Sequence, residues 1–204
     1  DLSGKFLSNS REVRIVTNLC VYWDDIFLVE DDAPPAARLT AAPMLSADLH
    51  FRGFSKAIIH PQRIEAERFD YQTVSETSMW NPTSGNYTRY GAVENLLQEP
   101  DDRMVLMGSG DEVRLRFSAR ELPPLPAGWK RDFLLLVDGW AKDADANTAF
   151  SQTVLPLPFH GMSGYPYPAA EHYPRDRAHQ DYLREYNTRP ALRLIRPLRQ
   201  RTEE

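Results

Sequence analysis

Asp143, Asp145 and Asn147 stand at D-x-D-x-N spacing inside residues 138–162, DGWAKDADANTAFSQTVLPLPFHGM. Alternate oxygen ligands on a tight loop are what a hard cation such as Ca²⁺ requires. An EF-hand loop would next need Gly at Thr148 and Glu at Val154, and neither is there. The expectation is therefore a solvated turn capped by Asn147, with no cofactor and with Ca²⁺ as the one ion to test. Trp80, Tyr87 and Tyr90 form a second group, in the polar loop SMWNPTSGNYTRYG. Aromatic faces beside amides hold sugar rings or protein ligands by stacking and hydrogen bonding. A long loop also needs packing of its own, and an inward-folded cluster of the same rings is the competing expectation.

The other reactive side chains are scattered. The five histidines, His50, His60, His160, His172 and His179, show no H-x-H or H-x-x-x-H spacing, so no zinc site is expected. His160, in PFHGM, becomes a proton carrier if Asp138 or Asp143 lies beside it; a hydrogen-bonded structural histidine is the plainer reading. Glu76, Asp111 and Glu112 are the acids that glycoside hydrolysis would pair, about 5–9 Å apart across a cleft. Ser109, in GSGDE, lacks the G-x-S-x-G elbow and the lysine of a phosphate loop. Cys20 is alone, so no internal disulfide forms, and the apolar pattern VTNLCVYW makes it a buried thiol.

Composition narrows the class. A net charge of −5 gives no basic footprint for nucleic acid. The local exception is the arginine series Arg189, Arg193, Arg196, Arg199 and Arg201, read as a solvated arm or as a docking strip for an acidic neighbour. No stretch reaches the roughly 18 apolar residues of a membrane span. The chain starts at Asp1 without a signal peptide and reads as a mature or excised fragment. Sixteen prolines favour a loop-rich β fold over a helical one.

The elements that must position these residues are short strands. Val13, Ile15, Leu19, Val21 and Trp23 share one parity within residues 12–30, a run long enough for two strands. Residues 48–51, 56–60 and 68–74 predict further strands, and residues 92–98 predict a short helix. Residues 104–107 and 113–117 predict a hairpin through GSGDE, with Val113, Leu115 and Phe117 alternating against Arg114 and Arg116. Residues 133–137, FLLLV, have no polar face and predict a central strand buried on both sides. The apolar residues of 154–159 predict a Pro-rich strap packed on the body. Residues 175–186 predict one charged helix and residues 188–204 a tail. The fold class is all-β: a two-layer antiparallel β-sandwich, jelly-roll-like, with one short helix, long loops and an irregular C-terminal tail. The expected division is a sandwich at 1–160 and a Pro/Arg-rich extension at 161–204.

Several phrases belong together. RIVTNLCVYWDDIFL, TSMWNPTSGNYTRYG, DDRMVLMGSGDEVRLRF, LPPLPAGWKRDFLLLVDGWAKDAD and VLPLPFHGMSGYPYP resemble the C-terminal module of large bacterial envelope proteins. Those proteins carry FG-GAP propeller repeats and an ASPIC/UnbV segment, sometimes with tetratricopeptide repeats. The resemblance spans most of residues 14–190. It implies a β-rich accessory module outside the cytoplasm, beside a propeller, and it transfers no chemistry to any residue. The chain has no FG-GAP calcium loop of its own. The leading expectation is thus a non-catalytic module acting through neighbouring domains of the same polypeptide, or through a carbohydrate or protein ligand at Trp80, Tyr87 and Tyr90. The alternatives are a hydrolase acting on a carbohydrate-like substrate through paired carboxylates, and a purely structural domain strapped by residues 154–168.

Overall fold

The computed structural model describes residues 5–6, 9, 12–16, 26, 37–59, 61–62, 66–78, 82–142 and 151–191. The chain forms two compact units, Asp1–Leu39 and Thr40–Glu204. In the first, most of the 12–30 run, including Cys20, lies outside the described residues; residues 12–16 are described and are not in a strand.

The second unit is built around β1 (Met44–Phe51). Its alternation places Ala47 and Leu49 on one face, at 1% and 0% exposure, and Asp48 on the other. β1 runs antiparallel to β5 (Gly91–Ala92) on one side and β6 (Asp111–Phe117) on the other. The register sets Leu49 opposite Val113 and Ala47 opposite Leu115 on the inner face. Asp48 opposes Arg114 on the outer face, a favourable cross-strand charge pair. β2 (Phe54–Ile59) and β3 (Ala66–Ser75) form a separate antiparallel ribbon. β4 (Gly85–Tyr87) pairs antiparallel with β7 (Arg189–Ala191). Among the described residues one α-helix, α1 (Arg177–Glu185), completes the unit, and the class is all-β with a little helix. Among the described residues no helix is long and apolar enough to cross a membrane.

α1 starts where Asp176 accepts hydrogen bonds from the backbone N–H groups of Ala178 and His179. Tyr182 and, one turn on, Tyr186 share a face and stack at 6.3 Å. They close the core over Ala47, Leu49, Val93 and Leu96. The Tyr182 hydroxyl donates to the Met104 carbonyl at 2.7 Å, so its polar end is satisfied inside. A second cluster joins Tyr87 to Val154 and Leu157. Here the Pro-rich strap packs as expected: Val154 donates its N–H to the Ser84 carbonyl at 2.9 Å, and Leu157 is buried.

Four expectations are corrected. Residues 133–137 form no strand, and all five are exposed, between 59% and 85%. An apolar run reports what a segment needs covered, and among the described residues nothing covers it. Residues 104–107 do not pair with β6. Val113 and Leu115 must face the same core as Ala47 and Leu49, which makes β1 the partner, while Leu106 exchanges hydrogen bonds with Thr88. The helix expected at 92–98 shrinks to a 3-10 turn, Glu94–Leu96, because β1 claims Ala92 and binds the Val93 N–H. The expected tail begins instead as β7, and of the arginine series only Arg189 lies within the described residues.

Gly85 shows how closely the strap lies. Its φ is +145°, and a Cβ added there would sit 2.6 Å from the Val154 Cβ. Gly85→Ala is therefore expected to cost about 1–3 kcal/mol by overpacking, read as a lowered melting temperature. An unchanged melt would mean that the strap does not press on β4.

Candidate functional site

Among the described residues of the second unit, three groupings of polar side chains bear on the expected sites, and one bare apolar segment adjoins the third.

The first contains Tyr87 and Tyr90. Tyr87 is buried, and its hydroxyl donates to the Thr83 carbonyl at 2.6 Å. Tyr90 is 40% exposed, and its hydroxyl donates to Asp111 Oδ1 at 2.8 Å. The Arg189 guanidinium lies 4.2 Å from the Tyr90 ring centroid and 5.4 Å from that of Tyr87. It also reaches Asp111 Oδ2 at 2.5 Å, and its Nε donates to the Thr88 carbonyl at 2.9 Å. The Gly108 N–H donates to the same Asp111 oxygen. The rings are thus stacked on an internal arginine, and burial pushes both phenols up from 10. Of the two rings, Tyr90 is the one a ligand could reach. Trp80 lies outside the described residues, as do Asp143, Asp145 and Asn147. Among the described residues no three His, Cys, Asp or Glu side chains are placed to hold a metal.

The second grouping lies on the outer face of β1 and β6. Glu112 faces His50 Nε2 at 3.2 Å and Arg52 Nε at 3.4 Å. Asp111 and Glu112 are consecutive strand residues, and their side chains project to opposite faces. Asp111 faces Arg189 inside; Glu112 meets His50 and Arg52 outside. They do not flank one bond. Glu76 is exposed at the end of the β2–β3 ribbon.

The third grouping was half legible. His160 sits between two acids, with Nδ1 2.8 Å from Asp102 Oδ1 and Nε2 3.0 Å from Asp138 Oδ2. Asp138 is a neighbour the sequence suggested. Asp102, 58 residues upstream, carries no local signal. Four residues beyond Asp138, Lys142 Nζ donates to the carbonyls of Thr153, Val154 and Pro156 at 2.8–3.0 Å. The ammonium also lies 5.0 Å from the centroid of Tyr165, whose ring packs against Trp140. Burial lowers Lys142 from 10.5 to about 8.

These contacts moor the bare segment. Before residues 133–137, Arg131 donates to the Pro123 carbonyl at 2.6 Å. After them come Asp138 on His160, Trp140 on Tyr165 and Lys142 on the strap. The segment is held at its C-terminal end; among the described residues Arg131 before it bonds only within its own loop, and the five apolar side chains are 59–85% exposed. No family model matches the chain, and no curated protein or solved structure matches it either.

Removing Arg189 leaves the Asp111 carboxylate, 2% exposed, without its counter-charge. Arg189→Met is expected to cost about 2–3 kcal/mol in denaturant unfolding, below a fully buried pair because part of the guanidinium stays wet. Asp111→Asn with Arg189→Met should recover part of that loss. A single variant as stable as wild type would contradict the need for a counter-charge at Asp111.

Proposed function

We propose that the chain is a non-catalytic accessory module that docks on neighbouring domains of its own polypeptide, and that residues 133–137 are the docking segment. The observation that carries this reading is their exposure. Phe133, Leu134, Leu135, Leu136 and Val137 are all more than half exposed, on a segment whose C-terminal end is moored by Asp138, Trp140 and Lys142. A contiguous apolar stretch of this kind marks a contact surface. The moorings lower the entropy lost when a partner seats on it. The resemblance to the C-terminal module of FG-GAP and ASPIC/UnbV envelope proteins points to an extracytoplasmic setting beside a propeller, and the jelly-roll form of the sandwich belongs to the same reading. The strap gives a subordinate structural role: Val154 and Leu157 pack over Tyr87 and brace the β4–β7 pair.

The test is Leu134→Lys with Leu136→Lys. Substitutions at exposed positions shift stability little, so the melting temperature should stay within about 2 °C of wild type. Binding to the remainder of the encoded polypeptide, supplied separately, should fall at least about tenfold, since two charges would be buried in the contact. A melt lowered by many degrees would place these leucines in a core. Unchanged binding would refute docking through this segment.

A further inference from the structure

We propose that Asp102, His160 and Asp138 form a proton-dependent clasp. It ties Asp138, at the C-terminal end of the 133–137 segment, to the end of the Pro-rich strap, and frees that carboxylate when the His160 imidazole loses its proton. The clasp itself stands on its own geometry; that it governs docking rests on the reading above.

Both ring nitrogens of His160 face a carboxylate oxygen, at 2.8 Å and 3.0 Å. A carboxylate only accepts hydrogen bonds, so both contacts are bonds only if both nitrogens carry a proton. The imidazolium meets that condition. Either neutral tautomer leaves a lone pair against a carboxylate. The two acids differ in what else holds them. Asp102 Oδ1 also accepts the His160 backbone N–H at 2.7 Å, and Tyr173 donates its hydroxyl to the Asp102 carbonyl. Asp138 is 58% exposed at its side chain, against 19% for Asp102. The neutral ring should keep its Nδ1 proton on Asp102 and turn a bare Nε2 toward Asp138. Deprotonation therefore frees the Asp138 end.

The charged groups around the ring act in one direction. Asp138 and Asp102 raise the proton affinity of His160, through hydrogen bonds first and charge second. In the Asp102 loop, Arg103 is already engaged by Asp101 at 2.6 Å. Lys142 lies four residues beyond Asp138 and is bound by carbonyls of the strap. A raised histidine value means that the clasp contributes fully below pH 6.5 and loses its hold as pH rises through the higher folded value. Trp140, two residues after Asp138 and packed on Tyr165, should report the release.

The test uses the whole 204-residue chain labelled with 5-fluorotryptophan. The Trp140 resonance is assigned with Trp140→Phe, and the His160 ring is followed by NMR and assigned with His160→Gln. The wild-type ring should titrate above 6.5, and the Trp140 fluorine shift should move toward its solvent value at the same midpoint. In Asp138→Asn the amide accepts from the imidazolium and donates to the neutral ring. Its His160 midpoint should fall toward 6.5, and Trp140 should stay in its low-pH position throughout. A wild-type midpoint at or below 6.5, or a Trp140 signal that ignores it, would overturn the clasp. So would release of Trp140 at high pH in Asp138→Asn, which would assign the event to another group. None of these readings uses a partner, so failure of docking leaves them unaffected.

Discussion

The ion pair between Asp111 and Arg189 is the constraint on which the second unit closes. A carboxylate 2% exposed must be neutralised, and the cation comes from 78 residues downstream. Meeting that demand brings the chain back to β4 as β7. The return path carries α1, whose Tyr182 and Tyr186 then cover Ala47 and Leu49. The same carboxylate takes the Gly108 N–H and the Tyr90 hydroxyl, so the turn before β6 and the loop after β4 are tied at one point. Tyr87 supplies the ring beneath the guanidinium, and the strap packs on Tyr87 in turn.

This arrangement sets the aromatic pair apart from the bare segment. Tyr87 and Tyr90 both lie against the Arg189 guanidinium, Tyr87 buried and Tyr90 40% exposed. Residues 133–137 are the reverse case. Arg131, Asp138 and Lys142 are engaged, by Pro123, His160 and the strap carbonyls, while the apolar side chains between them are 59–85% exposed. They are the surface that the proposed docking would cover.

What could be read from sequence follows from range. The alternation of Val113 and Leu115 against Arg114 and Arg116 marks β6, because a half-buried strand writes its two faces into adjacent residues. The apolar content of 154–159 marks a packed strap for a similar reason. Partner choice is not local. Nothing around Met104 says that β6 prefers β1, and nothing around Arg189 says that it faces Asp111 rather than solvent. Asp102 is likewise silent, because its meeting with His160 is made by two loops far apart in sequence. At 133–137 the run without a polar face identifies apolar surface, but whether a strand covers it depends on segments distant in sequence, and these five residues are exposed.

Amide hydrogen exchange compared between this chain alone and the complete encoded polypeptide tests the central claim most directly. Alone, the amides of residues 133–137 should exchange near the intrinsic rate, while those of β1, β6 and α1 are protected. In the complete polypeptide the same five amides should become protected with little change elsewhere. Protection in the isolated chain, or free exchange in both, would contradict the account.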